Sequence, residues 1–583
     1  MPDVGLLTPG ADLAPGSPAA VTDDVALLRT MLRVEAAWVH VLVRHGAAGR
    51  IQRSASGIGV ARVGQAPPGP AAEDSAAEDS APEDSAARGT AAAGPTVSGP
   101  GASSPTVSGP ARPHPTAEGH AIDGSGVVDP TEAYPEDIVE IPDPHAHDTA
   151  DIAAVVDAAV ERLAGADDDA LALATRLARE SGAGGNPVIP LVGALRAAVG
   201  PRIAPVVHAG LTSQDVLDTA LVLMLRDAAH AVVEDLDQAA VAAARLAAEH
   251  RDRPALARTL AQAAVPTTLG ARFAGWLQGI LAARGFLSSA ADALPLAYGG
   301  AAGELSGVAA LAGGAGSTST VPLTAGGTAR PTVGGAAGPA VGGDASGSAS
   351  GGAAAGSVVV GSTERVVGSA GASRPELALI EAWGAELGLP VGPGPWHATR
   401  TPVVRLGSAL AETCAALGKV ANDVLQAVRP GVGELREPSG PGRGTSSAMA
   451  HKRNPVLSVL VRCSAIAAPH LAAQVLAAAG LAVDERSDGA WHAEWPALQQ
   501  LARHAVASAH VATELLDGLE VDADAVARNL RDGLPDVGPA PDVAPAAAVV
   551  DRVLDQFAAQ TGPVQTGPVQ TGPDQTGPAA GRE

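Results

Sequence analysis

Phe, Tyr and Trp together supply only 2% of the 583 residues. A core without aromatics must be built from Ala, Val and Leu, which suits closely packed helices better than a β-sandwich. Only two cysteines are present, Cys414 and Cys463, far apart and without CxxC spacing. That excludes a disulfide framework or zinc knuckle and points to a reduced, cytoplasmic setting. Basic residues are scarce: 38 Lys and Arg against 62 Asp and Glu leave a net charge of −24. Such a chain is a poor partner for nucleic acid or an anionic membrane. The opening MPDVGLLTPGADLAPG lacks a basic stretch and a continuous apolar run, so no signal peptide is expected. No apolar run is read as long enough to span a membrane.

What is present is a 46% apolar chain, long enough for two to four domains. Three stretches are of low complexity: about 65–112 with AAEDS-type and PTVSGP repeats, about 313–371 rich in Gly, Ala, Ser and Thr, and a tail of QTGP repeats from Gln560. They carry too little apolar surface to offset chain entropy, and disorder is the expectation. TVGGAAGPAVGG within the second has no strand before it and no helix after it, so it is not read as a nucleotide loop. Between Leu211 and Arg253 there is neither Gly nor Pro, which predicts one very long helix. Further helical patterns cover 403–428, 456–479 and 497–516. Ala-rich rods of this length need a bundle, and an oligomer of bundles, to bury their faces.

Chemistry-bearing residues concentrate in a few segments. GTSSAMAHKRNP (Gly444 to Pro455) has no hydrophobic period and reads as a loop launching a helix. Asn454 and Pro455 make a good helix start, and a purely structural cap is one account of them. Paired serines, Lys452 and Asn454 ahead of a helix N-terminus also make a site for negative charge. Thr212, Ser213 and Gln214 either cap the long helix with Asp215 or offer hydroxyl and amide donors to a ligand. Three of the six tryptophans lie in PWHATR and WHAEWP, beside His397, Arg400, His492 and Glu494. A structural hydrogen-bond network or a site would each account for that clustering. PHAHD (His145, His147, Asp148) lies in a Pro- and Asp-rich connector without a third fixed ligand, so no metal is expected there.

SSAMAHKRNP resembles the GSSxMPxKxNP signature of the fumarase/aspartase superfamily. HAGLTSQDVLDTALVLMLRDA (from His208) and ARTLAQAAVPTTLGARFAGWL (from Ala257) are similar to its first and second conserved regions. LPLAYGGAAGEL, PWHATR and WHAEWP resemble the branch containing 3-carboxy-cis,cis-muconate cycloisomerase. The resemblance implies an all-α, three-domain fold with a long central bundle. An N-terminal helical domain would cover 1–214 with the acidic insert. The bundle would cover 215–519 with the Gly/Ser insert, a short C-terminal helical part 520–559, and the repeat tail 560–583.

The same resemblance implies chemistry β to a carboxylate through an aci-carboxylate intermediate, needing no metal or other cofactor. Ser446 matches the catalytic serine, and a weak acid such as serine needs the field of Lys452 and loop N–H groups to act as base. Lys452 and Asn454 would also hold a substrate carboxylate. Substrate binding is expected of Thr212, Ser213, Gln214, Gln262, Ser447, Met449, His451 and Arg453, and of Arg400, His492, Glu494 and His208. The implied substrate is a small tricarboxylate, cyclised within protocatechuate catabolism, and the implied assembly is a homotetramer with shared active sites. Where much of the superfamily has an acid–base histidine after the Thr of its second region, this chain has Leu260. That counts against the runner-up, an adenylosuccinate lyase-like elimination. Thr445 and Ala450 replace signature Gly and Pro, which leaves open a third alternative, a non-catalytic helical scaffold.

Overall fold

In the computed structural model, the long Gly- and Pro-free stretch forms one unbroken helix. The structure describes residues 17–57, 149–313, 374–449, 451–536, 538 and 541–561. The acidic insert, PHAHD, nearly all of the Gly/Ser insert, Ala450 and almost the whole repeat tail lie outside the described residues.

Among the described residues the first helices are α1 (Asp24–Arg44), α2 (Ala47–Gly57), α3 (Thr149–Ala164), α4 (Asp167–Gly184) and α5 (Val188–Val199). The long rod α6 (Ser213–Glu249) follows, 37 residues and roughly 56 Å at 1.5 Å per residue. Then come α7 (Leu269–Asp292), α8 (Ser306–Ala312), α9 (Pro375–Leu387), α10 (Thr401–Ala427), α11 (Val456–Gly480) and α12 (Gly489–Asp517). Helices α13 (Ala523–Gly533) and α14 (Ala544–Thr561) close the order. Helices α6, α7, α10, α11 and α12 pack on one another as a central bundle, with α1 against α6 and α14 against α7. Their shared core is almost wholly Ala, Val and Leu, as an aromatic-poor chain requires.

Among the described residues, two small antiparallel ribbons interrupt the helices. Strands β1 (Pro254–Thr259) and β2 (Gln262–Thr268) form a hairpin. Strands β3 (Leu435–Arg436) and β4 (Glu520–Val521) pair near the start of α13. Neither ribbon was expected from the sequence. The hairpin turn consists of Leu260 and Ala261, with φ of +49° and +64°. Tight hairpin turns of that hand favour Asn-Gly, and left-handed backbone costs about 1–2 kcal/mol at a residue with a Cβ. Leu260 is also 98% exposed, so the tip is both strained and apolar.

One reading needs correction. Helix α11 is long and apolar enough to cross a membrane by length and composition, whereas no such run was expected. Polar residues Arg462, His470 and Gln474 and an internal Pro469 dispersed the pattern. One side of α11 packs on α10 and α12. Its other side exposes Val459, Cys463, Ile466, His470, Ala473 and Ala477, spaced alternately by four and three residues.

Candidate active site

The segments that carry the chemistry-bearing residues gather at two ends of the bundle. At one end, the start of α6 meets the loop before α8, the PWHATR segment and the start of α12. Thr212 caps α6, and its backbone N–H donates to Asp215 Oδ2 at 2.8 Å. Asp215 also accepts from Gly300 N–H. Gln214 is fully buried and donates to Asp218 Oδ2 (3.0 Å) and to the His397 carbonyl (2.9 Å). The helix-cap account of TSQD is thus the one the local geometry displays, with Thr212 and Ser213 half-buried at the surface.

Arg400 and Glu494, expected to meet substrate, are both buried and bonded to protein. Arg400 Nε and Nη2 donate to Glu494, and Nη1 and Nη2 to Asp218, at 2.6–3.2 Å. Trp491 Nε1 donates to Asp218 Oδ1 at 2.9 Å, and the guanidinium stacks over Trp396 at 4.7 Å. Burial tends to strip the Arg400 charge, yet Asp218 and Glu494 more than reverse this and hold its pKa above the ordinary value. Burial pushes the Glu494 carboxyl up; Arg400 opposes that and Asp218 adds to it. A buried arginine saturated by two carboxylates organises the core rather than greeting a ligand. His492 is instead exposed, its Nδ1 3.1 Å from the Asp488 carbonyl. The ring of His397 is buried, 2.9 Å from Asp215 Oδ1 but off the direction of a hydrogen bond, so neither ring nitrogen has an aligned partner. Sequence reasoning missed Asp218. Its signal was a second acid three residues after Asp215, just ahead of the apolar run from Ala220 to Leu225.

His208 lies at the same end, with φ of +59°. Its Nδ1 is 2.6 Å from Oε1 of Glu35, which is fully buried on α1.

At the other end lies the signature loop, 444–454. A structural cap on the following helix was one account of Asn454; holding a substrate carboxylate was the other. Instead its backbone and side-chain amides both donate to the Gly444 carbonyl. The cap is Glu437, whose carboxylate accepts from Leu457 N–H (3.0 Å) and Ser458 N–H (2.8 Å). Ser446 Oγ accepts from the backbone N–H groups of Ala448 (3.3 Å) and Met449 (3.1 Å). Ser447, Met449, His451, Lys452 and Arg453 are exposed, and Lys452 Nζ has no hydrogen bond among the described residues. Gln262 is exposed at the tip of the β1–β2 hairpin. The hairpin reaches this end through Glu434, which accepts from Arg258 on β1, from Arg272 and from Asn529.

Helix α11 starts at the loop, and Gln474, six residues before its end, bonds to Ala493 near the start of α12. The helix from Val456 to Gln474 sets the two ends roughly 27 Å apart. One chain therefore does not bring Ser446 and Thr212 together. Among the described residues, recesses of about 310 Å³ lie along Arg436 and Glu520–Asp524 and between α7 and α10 at Phe286 and Arg405. No group of three metal-ligating side chains is present among the described residues.

A family model described as Lyase matches residues 138–312. A nitrosuccinate lyase from Streptomyces davaonensis is 42% identical over 382 residues, 65% of this chain and 67% of that protein. The chain belongs to the fumarase/aspartase superfamily. Two 3-carboxy-cis,cis-muconate cycloisomerases are also similar. That of Pseudomonas aeruginosa is 35% identical, over 62% of this chain and 65% of its own length. That of Pseudomonas putida is 33% identical, over 61% and 69%. The match thus spans about two thirds of each relative. As a superfamily member the chain is a lyase-type enzyme by kinship, and it keeps Ser446, Lys452 and Asn454 of the signature while placing Leu260 at the hairpin tip.

Proposed function

We propose that this enzyme eliminates a weakly basic anion from the carbon β to a substrate carboxylate, and that its substrate is a nitrosuccinate. The observation that carries this reading is Leu260. The hairpin tip offers no titratable side chain where much of the superfamily has an acid–base histidine, so the departing group must leave without a proton. Nitrite and carboxylate do so; an amine or an alkoxide does not.

In the forward step Ser446 Oγ removes a proton from the methylene carbon next to one carboxylate. The electron pair passes into that carboxylate as an aci-carboxylate. It then returns to form the carbon–carbon double bond as the carbon–nitrogen bond breaks, giving fumarate and nitrite. The N–H groups of Ala448 and Met449 aimed at Ser446 Oγ favour its deprotonated form, and Lys452 supplies positive charge nearby. Thr212 and Ser213, at a helix start, suit the second carboxylate.

A second reading retains the tricarboxylate. Cyclisation of 3-carboxy-cis,cis-muconate to 4-carboxymuconolactone uses a carboxylate as its internal nucleophile, which also needs no proton at that oxygen. PWHATR and WHAEWP favour it. The 42% identity to a nitrosuccinate lyase favours the first reading.

Either reaction requires Ser446 and Thr212 to meet, so the reading includes an assembly. The exposed four-three spacing along α11 suits packing against the same helix of another copy. A homotetramer would bring one chain's loop to another chain's α6 start. The test follows nitrite release from nitrosuccinate and loss of diene absorbance from 3-carboxymuconate on the same protein. Nitrite release alone selects the first reading and diene loss alone the second. Folded protein that consumes neither overturns both, and adenylosuccinate serves as a parallel substrate.

A further inference from the structure

Glu35 is the buried carboxylate that the reading above leaves without a task. It sits on α1 with no exposed surface, among Val34, Ala36 and Trp38 of the core. Its Oε1 is 2.6 Å from His208 Nδ1, and its Oε2 is buried without a partner. A half-satisfied carboxylate in an apolar core is costly and needs a compensating role. The histidine side of the contact is equally constrained. His208 holds a left-handed φ of +59°, a conformation rarely kept by a non-glycine residue without cause. Its backbone is pinned by neighbours: Trp38 Nε1 donates to the Ala209 carbonyl at 2.8 Å. Gly210, φ +74°, lies so close to Gly307 that a Cβ there would meet its carbonyl carbon at 3.0 Å. The His208 side chain is still 15% exposed, and Nε2 has no hydrogen bond among the described residues. Four residues further on, Thr212 and Ser213 open α6.

We propose that Glu35 is a positioning residue. It accepts from Nδ1–H and fixes the orientation of His208; with both ring nitrogens protonated, Nε2–H also donates, to the substrate carboxylate docked at the start of α6. The left-handed turn at His208 brings the ring to Glu35 and leaves only one ring edge available. The ligand class is a C4 dicarboxylate. The proposal rests on the reading above only in placing a carboxylate beside Thr212 and Ser213; it does not depend on which leaving group departs.

The test is a double-mutant cycle on fumarate affinity, measured by calorimetry with the full chain. Glu35→Gln keeps the size of the side chain and removes its charge. His208→Gln removes the rigid ring that carries a donor from Glu35 to the ligand and leaves only a flexible amide in its place. Each single variant is expected to weaken fumarate binding by about tenfold, the worth of one charge-assisted hydrogen bond. The double variant is expected to bind no worse than His208→Gln, because Glu35 acts only through the ring. A merely structural Glu35 would lower the melting temperature and leave the two effects additive. Additive losses, unchanged affinity in either single variant, or no fumarate binding by the wild type would overturn the proposal. Where Glu35→Gln does not fold, His208→Gln with unchanged fumarate affinity overturns it and a tenfold loss sustains it. Failure to turn over nitrosuccinate or 3-carboxymuconate, with the coupling intact, removes the reaction assigned above and leaves this dyad standing.

Discussion

Asn454 donates twice to the carbonyl oxygen of Gly444, from its backbone at 2.8 Å and from its side-chain amide at 3.2 Å. The two stems of the signature loop are thereby clasped at the neck, while Ser446 to Met449 and His451 to Arg453 project from it. Gly444 has φ of +66°, and a Cβ there would meet the Asn454 carbonyl oxygen at 2.4 Å. Gly444→Ala should therefore open the neck, at a local cost of about 1–2 kcal/mol. Little core lies beneath the loop, so the melting temperature should hardly move. Tryptic cleavage at Lys452 should accelerate and turnover should fall at least tenfold. Unaltered cleavage and turnover would show that the clasp does not order the loop.

The strained tip of the β1–β2 hairpin gives a second expectation. Leu260→Asn together with Ala261→Gly supplies the residues a left-handed two-residue turn favours, and should stabilise the protein by roughly 1 kcal/mol. The same change removes the apolar side chain assigned to the leaving-group end of the substrate. Thermal melts should shift upward while turnover declines. A variant gaining both stability and rate would mean that Leu260 never meets substrate.

Much of this architecture was open to reading because helices advertise themselves. The run without Gly or Pro became α6, and the expected helices at 403–428 and 456–479 emerged within a few residues as α10 and α11. The hairpin was hidden because Ala and Leu carry no strand preference, and its turn lacks Gly and Asn. Site residues were harder. Arg400 and Glu494 looked available because sequence places them beside tryptophans, but only the packed helices bring Asp218 against both. Glu35 and Glu437 gave no signal at all, since their partners are 173 and 20 residues away.

Acid should act through Glu434. Its burial works to raise the pKa, but hydrogen bonds from Arg258, Asn529 and Arg272 outweigh this and hold the carboxyl below its ordinary value. A carboxyl depressed in the folded state stabilises above its unfolded pKa, and that contribution disappears as pH falls through the folded value. Glu434→Gln should therefore be less stable than wild type at neutral pH, and the gap should close in acid, below the ordinary carboxylate range. Denaturant melts at several pH values measure it; a gap independent of pH would exclude the linkage.

Assembly should depend on the uncovered side of α11. Ile466 is 60% exposed in the single chain. Ile466→Glu places a charge in the middle of the proposed seam and should dissociate the oligomer, read as a fall in mass by light scattering. Turnover should vanish with it, because Ser446 and Thr212 stand on opposite ends of one bundle. An active monomer would defeat the shared site.

The buried arginine sets the final expectation. Arg400 lies between Asp218 and Glu494 with side chains about 1% exposed on all three. Arg400→Met fills similar space but leaves two carboxylates buried without a counter-ion, which should cost about 3–5 kcal/mol. Lysine should rescue little, because it cannot make paired contacts with both acids at once. The variant should also invert the response to pH. Uncompensated carboxyls have pKa values raised in the folded state, so their protonated forms stabilise it, and stability is lost as pH rises through those values. Arg400→Met should thus be most nearly folded in mild acid and weakest at neutral pH. Chemical denaturation at pH 5 and pH 7 would reveal the crossover, and equal losses at both would mean that water or a neighbouring group neutralises the acids in place of Arg400.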